Sequence, residues 1–164
     1  MSNSFSAKIW RLGNDIDTDI ILPTEYLAFE TVNEMKPYAF SPLRPELASQ
    51  IRPGDMIVAG ENFGCGSSRE QAPEVVKALG VSCIVAKSFA RIFFRNAINN
   101  GLLLIENQDL YDEVSEGDIA EVTVGESIKV NGKTYEIASL PDNLMEILSA
   151  GGLVMAMRKR NGLN

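Results

Sequence analysis

The sequence predicts an α/β fold: a single domain spanning residues 1–164, built on a mixed sheet with crossover helices. Three observations predict it. Between residues 55 and 105, short apolar runs alternate with helical patterns as strand–helix–strand–helix–strand, the mark of parallel crossovers. After "EGD" the apolar residues switch to period two, the mark of antiparallel strands with one wet face. The chain has 164 residues, 45% hydrophobic and 23% charged, which suits one domain with a proper core.

The elements follow in order. "KIWRL" at 8–12 alternates and predicts a first strand. "GNDIDTDIILP" is a polar turn and then a short apolar run ended by Pro23. Residues 24–53 are irregular, because Pro37, Pro42, Pro45 and Pro53 break any long helix; short helices fit near Val32–Tyr38 and Pro45–Gln50. "RPGDMIVAG" turns into a strand. Val75–Leu79 is helical and Gly80 stops it. "SCIVAKS" and "LLLI" are buried strands, and "FARIFFRNAINNG" between them is a helix with an Asn-Gly stop. "IAEVTV", "SIKV" and "KTYEIA" are three alternating strands, the last two joined by a tight turn at Asn131-Gly132. "PDNLMEILSAGG" predicts a capped helix ended by Gly151-Gly152, and the tail carries a basic cluster read as solvated surface.

Composition narrows the function. The net charge is −7, a poor basis for binding nucleic acid, which rests on Lys and Arg neutralising phosphates. No apolar run approaches the ~20 residues of a membrane span. The N-terminus lacks an apolar signal core and there are only two cysteines, Cys65 and Cys83, so a cytoplasmic protein is expected. There is no histidine, the commonest general base and metal ligand. That excludes Ser-His-Asp and Cys-His chemistry within this chain. It also leaves any metal site to thiolates and carboxylates, and none is assigned.

One stretch stands apart: "GENFGCGSSREQAP", Gly60 to Pro73, between a strand and a helix. Its bland reading is a capping box, Ser67-Ser68-Arg69-Glu70, with glycines that merely permit a tight turn. Pro73 opposes the simplest form of that reading. With Ser67 as N-cap, Pro73 would lie past the first turn and cost about 3 kcal/mol. Pro73 is comfortable if the helix begins near Glu70–Ala72, which frees both serines. Backbone N–H groups and a helix N-terminus there favour an anion, and Arg69 adds a fork suited to a carboxylate. The stretch is neither G-x-x-x-x-G-K-[ST] nor G-x-G-x-x-G, so a phosphate loop is a weak match.

"GENFGCGSSREQAP" resembles the active-site signature of the aconitase swivel-domain family, and within it the free-standing small subunits of 3-isopropylmalate dehydratases. "GNDIDTDIILPTEYL" and "AKSFARIFFRNAINNGLLLI" continue the resemblance across most of residues 8–105. It implies a swivelling β/β/α domain of the aconitase C-terminal type. It implies a two-part hydro-lyase in which a separate large subunit carries a [4Fe-4S] cluster, forming a heterodimer or heterotetramer with this chain. Carried over by position, Ser67 is the catalytic base acting as an alkoxide, Arg69 holds a substrate carboxylate, and Ser68 hydrogen-bonds the same substrate. Gly66 belongs to the same turn. Asp17, Thr18 and Asp19 in "DIDTD" are supporting positions or turn residues bonding their own backbone, the two readings being level. Cys65 reads as a small packing residue and Cys83 as core. Arg91 and Arg95 lie four apart on one helix face and suit structural or interface pairing.

In the family, a loop after the first strand contacts the group that distinguishes substrates. Here it reads Tyr26-Leu27-Ala28-Phe29. Members handling a third carboxylate carry arginine at the position of Ala28. Ala28 and Phe29 offer apolar surface instead, which suits isopropyl. A slightly larger residue than Ala28 is typical, so methylmalate (citraconate) or dimethylmalate hydro-lyases stay open as alternatives. A non-catalytic binding or regulatory module on the same fold also stays open, although it would have no need of the base.

Overall fold

The computed structural model describes residues 4–150. Four strands run parallel: β1 (Ser4–Arg11), β2 (Met56–Ala59), β3 (Cys83–Ala86) and β4 (Leu103–Glu106). Three more, β5 (Ile119–Thr123), β6 (Ser127–Val130) and β7 (Lys133–Glu136), form an antiparallel meander. They join into one mixed sheet of order β4-β3-β2-β1-β5-β6-β7. The strand expected at 8–12 begins four residues earlier. Ser4–Lys8 pairs antiparallel with β5, and Ile9–Arg11 pairs parallel with β2, so β1 hands the sheet from one half to the other.

Side-chain alternation divides the core in two. Trp10, Ile57, Ile84 and Leu104 point to one face, while Ile9, Met56, Cys83 and Leu103 point to the other. The first face is covered by helices. These are α1 (Thr18–Ile21), α2 (Val32–Met35), α3 (Leu47–Gln50), α4 (Gln71–Ala78) and α5 (Arg91–Asn99). The second face packs with Ala120, Val122, Ile128 and Val130 of the meander, and with Leu110 of α6 (Leu110–Glu113). The meander therefore folds over the parallel strands, giving the expected β/β/α layering. Strands β2 and β3 are buried at every residue, as parallel strands covered on both faces must be. The buried Asp55 is not a stray charge: its carboxylate accepts from Trp10 Nε1 at 2.8 Å and from Arg52 N–H at 2.9 Å.

Other expectations meet particular outcomes. The two short helices between prolines appear as α2 with a 3-10 turn Lys36–Tyr38, and as α3. Asn131 and Gly132 both take positive φ, 53° and 80°, as a two-residue hairpin turn requires. Helix α7 (Asp142–Ala150) starts on Pro141, whose carbonyl accepts from Leu144 and Met145 N–H. Its expected Gly151-Gly152 stop and the basic tail lie outside the described residues. Among the described residues, no helix is long and apolar enough to cross a membrane.

Candidate functional site

The signature sits beyond the C-terminal end of β2, where ligands of parallel sheets bind. Three loops that follow β1, β2 and β3 are laced together there by backbone hydrogen bonds. Gly64 N–H donates to Ile16 O at 2.7 Å and Thr18 N–H to Cys65 O at 2.9 Å, joining the first loop to the second. Phe63 N–H donates to Ser88 O at 3.0 Å and Ala90 N–H to Phe63 O at 2.9 Å, joining the second to the third.

The glycines are demanded by this lacing. Gly64 has φ +83°, and a Cβ there would collide with the Phe93 ring. Gly66 has φ +97°, and a Cβ there would stand 3.3 Å from Thr18 Oγ1. We expect Gly64→Ala to destabilise the fold by about 2–4 kcal/mol, from left-handed strain plus overpacking against Phe93. The shift of the urea midpoint measures it.

Helix α4 begins at Gln71, and Glu70 before it makes no side-chain cap bond. Ser67 is thus not an N-cap and the capping-box reading fails. Pro73 takes the third helical position, inside the first turn, as its tolerance there requires. Ser67 and Ser68 are exposed. Ser67 Oγ lies 3.1 Å from Thr18 Oγ1, while the Ser68 side chain makes no hydrogen bond among the described residues.

Arg69 is mostly buried, its side chain 13% exposed, and it faces back toward the first loop. Its Nη1 donates to Leu22 O at 2.8 Å and pairs with the Asp19 carboxylate at 2.7 Å; its Nη2 donates to Thr24 Oγ1 at 3.2 Å. Arg69 therefore already holds one carboxylate, and it anchors the start of the 3-10 turn Thr24–Ala28.

The "DIDTD" residues divide between the two readings. Asp17 is the turn residue, its Oδ1 accepting from Ile20 N–H at 2.8 Å as the cap of α1. Thr18 and Asp19 instead meet Ser67 and Arg69. The alternation of "DTD" around a helical turn, with a cap first and two signature-facing side chains next, is a signal that sequence reading left undivided.

The loop of Tyr26, Leu27, Ala28 and Phe29 is braced by ring stacking. Tyr26 lies on Tyr38 with centroids 4.1 Å apart, and Phe29 lies 5.7 Å from Tyr38. Tyr38, from the 3-10 turn after α2, is the support that sequence reasoning missed. Ala28 and Phe29 are exposed. Arg91 and Arg95 are exposed and hold no ion-pair partner among the described residues. A cavity of about 430 Å³ lies elsewhere, between β4, the start of α5 and residues 137–140, and neither serine nor Arg69 lines it. In the signature, Gly66, Ser67 and Ser68 lie exposed.

The local field is acidic. Burial, then Asp17 and Asp15, push the Cys65 thiol up, which disfavours its thiolate. Cys83 is fully buried in β3 and pushed up to about 12 by burial. Among the described residues no three of Cys, Asp and Glu converge to hold an ion. The two cysteines lie on separate elements, so these residues do not fit a thiolate-held cluster.

The comparisons agree with this architecture. Residues 30–110 match the model of the aconitase C-terminal domain. A 3-isopropylmalate dehydratase small subunit of Lachnospira eligens is 74% identical over all of both chains. An isopropylmalate/citramalate isomerase small subunit of Methanocaldococcus jannaschii is 44% identical, covering 98% of this chain and 97% of the relative. A crystal structure of a 3-isopropylmalate dehydratase from the same organism superposes with a TM-score of 0.91 at 41% identity, covering 96% and 95% of the two chains. With a full-length relative at this identity and the same fold around the same signature, the chain belongs to the family of 3-isopropylmalate dehydratase small subunits.

Proposed function

We propose that this chain is the small subunit of a two-subunit iron–sulfur hydro-lyase that interconverts 2-isopropylmalate and 3-isopropylmalate by dehydration and rehydration, a step of leucine biosynthesis. The observation that carries the reading is the exposed Ser67 hydroxyl, which touches Thr18 beside the carboxylate-binding Arg69. Ser67, ionised by loss of its proton to solvent, takes the proton from the substrate carbon next to a carboxylate. The carbon–carbon double bond forms as hydroxide leaves the neighbouring carbon. Re-addition of water across that bond with the opposite sense, Ser67 returning its proton, gives the isomer.

Hydroxide departure needs a Lewis acid, which we assign to a cluster on the large subunit, since this chain's cysteines do not suit one. The exposure of Ser67 and Ser68 supports the same partition. An alkoxide exposed to water takes a proton from it and is lost as a base, so a second surface must close over Ser67 and exclude solvent. We place the enzyme in the cytoplasm, where two free thiols persist.

Arg69 receives the substrate carboxylate, and Ser68, free to turn, bonds the same group. The incoming carboxylate joins Asp19 at the guanidinium or displaces it. Arg69→Lys should raise KM by about tenfold or more with a smaller change in kcat, because lysine keeps the charge but not the fork. Steady-state kinetics of the reconstituted enzyme check this.

The methyl-substituted substrate is favoured as a second one by the Methanocaldococcus relative, whose name includes citramalate. Exclusion of a methylene is worth only about 1–3 kcal/mol, so overlap between alkylmalates is expected. The test is reconstitution with a cluster-bearing large subunit followed by 2-isopropylmalate, citramalate, citrate and homocitrate as substrates. Turnover of the alkylmalates supports the reading. Assembly without turnover of any of them would leave a binding module on the swivel fold.

A further inference from the structure

Thr18 holds a buried hydroxyl that the fold itself does not use. The residue is 2% exposed and opens α1, yet the cap of that turn is supplied by Asp17. The Thr18 N–H is engaged with Cys65 O. Its Oγ1 has one hydrogen-bond partner among the described residues, Ser67 Oγ at 3.1 Å. Gly66, with φ +97°, keeps the path between them clear, since a Cβ there would press on that oxygen.

The geometry points to Thr18 as the positioning residue of the base: its hydroxyl donates to Ser67 Oγ once Ser67 has lost its proton. This rests on the reading of Ser67 as base. While both hydroxyls are protonated, either oxygen can donate. After Ser67 ionises, one proton remains between the two oxygens, and it is Thr18's. The direction of the bond is then set by chemistry. A buried donor already in place needs no reorganisation to stabilise the anion.

The charged side chains nearby give the anion little help. In these segments they are Asp15, Asp17 and Asp19 before and within α1, Glu61, Arg69 and Glu70 in the signature, and Glu74 and Lys77 in α4. Six of the eight are acidic. Of the two cations, Arg69 is engaged by Asp19, and Lys77, in the last turn of α4, donates to Asn100 O. In this setting a neutral hydroxyl donor is worth more than it would be beside free cations.

The experiment uses the reconstituted two-subunit enzyme with 2-isopropylmalate, and compares Thr18→Ser, Thr18→Val and Thr18→Ala with wild type. Thr18→Ser keeps the donor and should hold kcat within about fivefold. Thr18→Val and Thr18→Ala should lower kcat by about 10²-fold with little change in KM. They should also move the rising limb of kcat against pH upward, because the ionised base has lost a donor. If valine prevents assembly, the serine–alanine contrast still isolates the hydroxyl from the methyl. Equal losses in serine and alanine with an unmoved pH limb would overturn the inference and leave Thr18 as packing. Ser67→Ala is run alongside. If it is inactive while Thr18→Ala stays within threefold of wild type, the Thr18 inference falls and the base stands. Full activity of Ser67→Ala would instead remove the base, and this inference with it.

Discussion

Ser67→Ala should lower kcat of the reconstituted enzyme by about 10²–10⁴-fold while leaving the two subunits assembled, the range expected when a general base is removed. The fold gives no reason for a large structural penalty. Ser67 is exposed, caps no helix, and its hydroxyl reaches only Thr18 among the described residues. Loss of the hydroxyl leaves the buried Thr18 hydroxyl unpaired, which costs about 1–3 kcal/mol of stability. The base acts in the chemical step, so KM should change far less than kcat. Melting of the isolated subunit, assembly with the partner and single-turnover rates separate these effects. Near-normal kcat with intact assembly would return Ser67 to the role of a turn residue.

The parts of this site that sequence made legible share one physical property: they are local. Pro73 located the start of α4 because a proline past the first turn is costly, and that argument weighed against the simplest capping box without any tertiary contact. The crossover strands were legible because burial on both faces makes them continuously apolar. The hairpin was legible because Asn131-Gly132 is one of few pairs that accept two positive φ angles. The signature's chemistry came from resemblance; spacing alone led only to an anion-binding turn.

What stayed hidden depends on distance along the chain. Thr18 and Ser67 are 49 residues apart, and nothing in "DIDTD" says which of its side chains turns toward the signature. Arg69 and Asp19 meet across a similar gap. Their pairing changes the picture of a free guanidinium into one already holding a carboxylate. The N-terminal half of β1 was missed because "SFSA" is too polar to declare itself a strand until β5 pairs with it. Helix α6 is a single turn, Leu110–Glu113, too short for helical periodicity to register.

The largest change in specificity is expected from Ala28→Arg. Ala28 closes the 3-10 turn Thr24–Ala28, and Phe29 N–H returns to Tyr26 O at 3.2 Å. The turn is held at both ends. Arg69 bonds Leu22 O and Thr24 Oγ1 at its start, and Tyr38 stacks on Tyr26 across its end. A side chain at position 28 is thus carried on a braced loop tied to Arg69, which we propose receives the substrate carboxylate. Ala28 is exposed, so arginine fits there without disturbing the core. In wild type, a third carboxylate closed in against Ala28 and Phe29 would lose its water without gaining a partner, at a cost of several kcal/mol. The wild-type enzyme should therefore favour alkylmalates over citrate and homocitrate. Arginine supplies the missing partner as a planar fork and crowds the isopropyl group. We expect the ratio of kcat/KM for 2-isopropylmalate to that for homocitrate to fall by about 10²-fold in the variant, since tenfold corresponds to about 1.4 kcal/mol. The same panel on both enzymes measures it. A wild type without preference, or a variant without a shift, would move the discrimination off this loop and onto the surface that the large subunit brings to the site.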